Sequence, residues 1–129
     1  MKAALIVGLG SFIGGSLRYL SVLWIERKID SPFPIGILFV NILGSFLIGI
    51  ATQGLERVAW NGDPLAPLFL TAGIMGGFTT FSTFSLQTLR LAQAGHVGMA
   101  SANALASVVC CLLSVYAGIK LGQLLFPSS

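Results

Sequence analysis

The residues able to do chemistry in this chain are uncharged and concentrated in one string. It reads Gly76-Gly77-Phe78-Thr79-Thr80-Phe81-Ser82-Thr83-Phe84-Ser85, inside a run from Leu65 to Leu89 that holds no charged residue. Phe78, Phe81 and Phe84 recur every third residue, a spacing that places them on one helical face. Thr79, Ser82 and Ser85 form a hydroxyl stripe beside them. Two adjacent glycines precede both stripes. Glycine is the poorest ordinary helix former and threonine is little better, so Gly76-Gly77 is expected to break a membrane helix. A break frees backbone carbonyls and amides that lipid cannot satisfy. Hydroxyl and amide hydrogens are donors, and phenyl rings are positive at the edge. Donors and ring edges without a fixed charge suit a small anion that must bind weakly enough to leave again.

The elements that position this string are membrane helices. The sequence is 55% hydrophobic and 9% charged, with mean hydropathy +0.92. Apolar runs of about 20 residues cross a bilayer as helices, and four are expected, over about 3–25, 34–55, 65–89 and 98–119. The reading is an all-α integral membrane protein of one four-helix domain, residues 1–129, bathed in membrane lipid. Met1-Lys2 before an apolar run resembles a signal peptide, but Leu17-Arg18-Tyr19 stands where a cleavage site would be. A retained first helix is therefore expected. The net charge of +3 is scattered over helix ends and forms no basic patch, so nucleic acid is not an expected partner.

Several polar residues interrupt the apolar runs. Arg18 lies inside the first span, where a cation is costly. It either snorkels toward the loop or stands in an aqueous vestibule that attracts anions. Asn41 sits among Phe39, Val40, Ile42 and Leu43, either as interhelical glue or as a donor into a water-filled cavity. Asn103 and Ser107, four apart, share a face of the fourth span. Gly10 and Gly14 give the first span a small face for close helix packing, as do Gly44, Ser45 and Gly49 in the second. Cys110-Cys111 are adjacent in an apolar helix and read as small packing residues.

With four spans both termini lie on one side, with Lys2, Arg57 and Lys120. Arg27, Lys28 and Arg90 lie on the other. Orientation follows lysine and arginine bias, and here the counts balance, which predicts insertion both ways and an antiparallel pair.

Other function classes lack their residues. No Asp or Glu lies within a span, which argues against a proton-coupled transporter. No serine–histidine or cysteine–histidine constellation, phosphate loop or metal motif is present, so an enzyme is not expected. His96, the only histidine, reads as a loop residue. A passive pathway remains, beside two alternatives: a small membrane packing or assembly protein, and a small-solute transporter without ion selectivity.

The string at 76–84, with Val40-Asn41-Ile42-Leu43-Gly44 and Gly14-Gly15-Ser16-Leu17-Arg18-Tyr19, resembles the CrcB/Fluc family of fluoride channels along essentially the whole chain. The resemblance implies an antiparallel dual-topology homodimer in the inner (plasma) membrane that passively exports fluoride. It implies a structural sodium ion (Na+) held by the carbonyls of Gly76 and Thr79. It implies a fluoride pathway along Asn41, Phe81, Phe84 and Ser107. Gln87 stands where family members often have Glu, and Cys111 where a second fourth-helix hydroxyl can occur.

Overall fold

A computed structural model describes residues 1–60, 62 and 64–127, with the side chains of 57–60 excepted. The described chain is helical. Helix α1 covers Lys2–Lys28 and α2 covers Ile35–Trp60. The third span is composite: α3 (Leu65–Leu68), a π-helical segment (Phe69–Met75), α4 (Gly76–Phe78) and, after two extended residues, α5 (Phe81–Gln93). Helix α6 covers Val97–Leu125. Among the described residues, four helical stretches are long and apolar enough to cross a membrane: Lys2–Lys28, Ile35–Glu56, Leu65–Gln93 and Val97–Leu125.

The helices outrun the apolar stretches that announced them. The last turns carry Arg27 and Lys28 in α1 and Arg90 in α5, and α6 continues past Lys120 to Leu125. A 20-residue apolar run measures the hydrocarbon layer only. Helical hydrogen bonding continues into the interface, where long cationic side chains keep their charge in water. Lys28 lies over the Trp24 ring and Lys120 over the Tyr116 ring, each at 5.6 Å. These amphipathic pairs end α1 and α6, as expected at the two membrane–water boundaries. The second loop starts later than the sequence implied, because α2 includes residue 57. The side chain of Arg57, and Asp63, lie outside the described residues.

Glycine sets the packing. Gly10 and Gly14 of α1 lie directly against the backbone of the third span at Gly73, Ile74 and Phe78. A Cβ on Gly73 would lie 2.9 Å from the Gly10 Cα, and one on Gly77 2.6 Å from the Ser11 carbonyl oxygen. In α2 and α6 the equivalent approach is Gly49 on Gly118 and Ile119, where a Cβ on Gly49 would lie 2.9 Å from the Ile119 amide nitrogen. Such close approach gives van der Waals contact where lipid supplies no hydrophobic drive between helices. Within the π-helical segment Thr71 Oγ1 donates to the Pro67 carbonyl at 2.8 Å.

Candidate functional site

The third span opens at Thr79-Thr80 rather than at Gly76-Gly77. Gly76 keeps helical angles (φ −61°, ψ −37°). Thr79 (φ −90°, ψ 158°) and Thr80 (φ −152°, ψ 118°) are extended. Gly77 is used for approach to α1, and the break falls beyond the glycines, where other helices supply partners for the freed backbone.

Two side chains hold the break. Asn41 of α2 binds Thr80 at both ends of its amide: Thr80 N–H donates to Oδ1 at 2.8 Å, and Nδ2 donates to the Thr80 carbonyl at 3.0 Å. Arg18 of α1 donates from Nη1 to the Thr79 carbonyl at 3.1 Å. Arg18 thus reaches inward to the break and does not snorkel to the loop. Its charge sits where the dipole of the first half-helix, 65–78, presents carbonyls. The threonine side chains complete the caps. Thr79 Oγ1 donates to the Met75 carbonyl at 3.0 Å. Thr80 Oγ1 accepts the Thr83 amide at 3.2 Å as the N-cap of α5. Asn41 takes the Thr80 amide, which an unbroken helix would give to the Gly76 carbonyl. That carbonyl has lost its helical partner.

The break faces a cavity of about 460 Å³ that gathers Asn41, Gly76, Thr79, Phe81, Phe84 and Ser107. These residues come from three different spans, and α2, the broken span and α6 bring every expected pathway and ion position to one wall. Cys111, one turn after Ser107, lines it as well. The Phe81 and Phe84 ring centroids are 5.4 Å apart and tilted by 48°. Phe81 is 78% exposed on this single chain, so its outer face awaits lipid or protein. The Ser107 hydroxyl is buried and has no partner among the described residues. Among the described residues no charged one lines the cavity.

Phe78 leaves the stripe that its spacing predicted. It is buried against Gly44, where a Cβ would come within 3.3 Å of the ring. The extended residues 79 and 80 change the helical phase, so only Phe81 and Phe84 stay together. The hydroxyl stripe is divided in the same way. Thr79 caps the first half, while Ser85 bonds back to the Phe81 carbonyl at 2.9 Å.

Two residues matter more than the sequence indicated. Thr80 is buried and is the hub of the break. Threonine is a favoured N-cap residue, but its neighbours Thr79, Ser82 and Thr83 carry the same hydroxyl, so the sequence does not single it out. Asn103, 1% exposed, donates from Nδ2 to Thr88 Oγ1 at 2.8 Å, and Thr88 donates on to the Phe84 carbonyl at 2.7 Å. That relay fixes the turn carrying Phe84 against α6. His96 starts α6 from the loop. Among the described residues no group of three or more histidine, cysteine, aspartate or glutamate side chains comes together.

Fold and site define a multi-pass, all-helical membrane protein with an uncharged polar–aromatic cavity at the break of a spanning helix. The family model described as CrcB-like protein, Camphor Resistance (CrcB), matches residues 5–119, and the chain belongs to that family. Among its relatives is a protein of Clostridium perfringens named fluoride-specific ion channel FluC. It is 44% identical over 123 residues, covering 95% of each chain. Proteins of the same name from Ruminiclostridium cellulolyticum (45% over 117 residues; 91% of this chain, 89% of that one) and Thermus thermophilus (44% over 118 residues; 92% and 91%) are similar along nearly their whole length.

Proposed function

We propose that this protein is a fluoride channel that lets the ion leave the cytoplasm passively across the plasma membrane. The observation that carries the reading is the buried, unpartnered Ser107 hydroxyl in the same uncharged cavity as the Phe81–Phe84 pair. A buried donor without an acceptor costs about 1–3 kcal/mol, and a small anion passing the ring edges removes that cost. The N-terminus of α5 opens on the cavity, and its dipole favours negative charge. Among the described residues no charged side chain lines the cavity, so no cationic side chain traps the ion and binding stays weak enough for release. The names of the relatives supply the ion. Export follows from the membrane potential: an inside-negative voltage drives an anion outward by about 2.3 kcal/mol per 100 mV. Fluoride that enters as neutral HF and dissociates inside is then removed by a leak alone.

The working unit in this reading is an antiparallel dual-topology homodimer. The balanced basic residues support it, and so does the exposed Phe81, which needs a second surface to close a pathway around it. Sodium is the expected structural ion. The carbonyl of Gly76 has lost its helical partner and suits a hard cation, which takes oxygen ligands. The carbonyl of Thr79 already accepts from Arg18, and its second lone pair remains. The two positions therefore fit the ion, with Arg18 as a neighbour that the resemblance alone did not place. When bound, sodium would add positive charge and hold the two breaks together.

The test of the pathway is substitution of Phe81 and Phe84 by Ile, which keeps bulk and removes the ring edge. Reconstituted Phe81→Ile and Phe84→Ile dimers are expected to lose most fluoride flux while running as intact dimers in detergent. Near-normal flux in both would return the rings to packing. For the ion, exchange of sodium for a bulky organic cation on both membrane faces is expected to lower flux and weaken the dimer; unchanged flux and dimer after prolonged exchange would remove sodium from the account.

A further inference from the structure

A groove of about 580 Å³ runs between the last turns of α1 and early α2, lined by Leu20, Leu23, Trp24, Arg27 and Phe39 among others. It shares no lining residue with the Phe81–Phe84 cavity. Leu20, Trp24 and Phe39 are exposed, so the groove opens to the bilayer. Its charge is one-sided. Arg27 lines it, whereas Glu26 and Asp30 line a separate cavity beneath the first loop. The buried Ile25 stands between the two. Lys28 reaches the groove through Trp24, with Nζ 5.6 Å from the centre of the ring. Both cations are exposed, and among the described residues neither makes a hydrogen bond or an ion pair.

We propose that this groove binds an anionic phospholipid, with an acyl chain along Leu20, Leu23 and Phe39 and the headgroup phosphate on Arg27 and Lys28. The proposal goes beyond the channel reading and does not depend on it. Charge complementarity selects the occupant. Two cations without protein partners stand at the membrane–water boundary, at one end of an apolar groove. A lipid carries the matching pattern, an anion at one end of its hydrocarbon chains, and basic pockets between membrane helices hold such headgroups. A guanidinium meets phosphate oxygens through paired N–H donors, and an ammonium adds a point charge. Trp24 lies at headgroup depth, where tryptophan is enriched, and its ring face holds the Lys28 ammonium beside the site. A zwitterionic lipid offers the same chains, but its own cation competes for its phosphate.

Trp24 can report its own neighbours. The sequence has two tryptophans, and Trp60→Phe leaves Trp24 alone. The full chain with that change is placed in vesicles of equal parts phosphatidylglycerol and phosphatidylcholine, the same in both leaflets, so that either orientation meets the same lipids. Bromine near the headgroup end of the acyl chains is carried by one lipid or by the other, and quenching of Trp24 gives their relative occupancy. Phosphatidylglycerol is expected to be favoured about fivefold or more, since one basic residue near the surface is worth about that factor for an anionic lipid. Adding Arg27→Gln and Lys28→Gln together should bring the two lipids to equality. Arg90→Gln removes a positive charge from the same end of the protein but not from the groove, and should keep the preference. Equal quenching by the two lipids before any charge is removed would overturn the proposal, whether or not the charge variants fold. So would quenching by neither, the result expected if a second copy of the chain covered the groove. A preference that survives loss of Arg27 and Lys28, or that Arg90→Gln lowers as much as Arg27→Gln does, would belong to diffuse surface charge and overturn the site.

Discussion

Asn41 clamps the break and, in the proposed channel, also lines the pathway. Its amide gives and takes one hydrogen bond with Thr80, and it lines the cavity with the two rings. Asn41→Asp keeps an acceptor for the Thr80 amide but turns a donor into a carboxylate oxygen facing the Thr80 carbonyl. It would also set a negative charge in the proposed anion path. Fluoride flux should fall below detection, and stability should drop by about 1–3 kcal/mol, read as a lower melting temperature in detergent. Wild-type melting with lost flux would assign Asn41 to the pathway alone; wild-type flux would remove it from the pathway. Thr80→Val tests the cap separately. Loss of the Oγ1 acceptor for Thr83 should cost about 1 kcal/mol, with the Asn41 clamp on the backbone intact. An unchanged melting temperature would contradict the cap's role.

At the scale of elements, small residues decide which helices touch. Gly77→Ala would drive a Cβ into the Ser11 backbone of α1. Neither side is a flexible side chain that can move aside, so the variant should lose monodispersity or fail to accumulate. Gly98→Ala, at a position with open space around it, should be neutral or gain roughly 0.5–1 kcal/mol from better helix propensity. Size-exclusion profiles of the two in the same detergent decide the matter, and equal behaviour would contradict the packing account. The spans were legible because bilayer thickness leaves its length in the sequence. The break was legible as a feature but not in place. Glycine pairs signal both weak helix and close approach, and here Gly77 serves the second. What opens the chain at Thr79-Thr80 is Arg18 and Asn41, which arrive from other helices, and no local pattern records that. The cavity residues Asn41, Phe81, Phe84 and Ser107 stood out as polar or aromatic groups in apolar or hydroxyl-rich runs. Thr80 did not, because in a string of hydroxyls only tertiary contact distinguishes one from the next. Phe78 was misassigned to the ring face because a three-residue spacing implies a shared face only along an unbroken helix.

The whole molecule is a thin bundle with large apolar side chains facing outward, including Phe12, Trp24, Leu105, Leu112 and Leu124. Lipid accounts for such a surface, but a pathway beside an exposed Phe81 needs a second wall. The proposed antiparallel dimer would supply one and would also account for basic residues that do not favour one side. C-terminal reporters should therefore appear on both faces of the membrane. Added lysines at one end should bias insertion and lower fluoride export unless an oppositely biased copy is co-expressed. A reporter found on one face alone would refute dual topology. The central claim is conduction of fluoride in preference to other anions through an uncharged donor-lined cavity. It is tested most directly by vesicles that contain only this protein, loaded with fluoride or chloride, with a potassium ionophore to balance charge. The account predicts rapid fluoride release and far slower chloride release; equal release of the two would contradict selectivity, and release of neither would leave a packing protein in place of a channel.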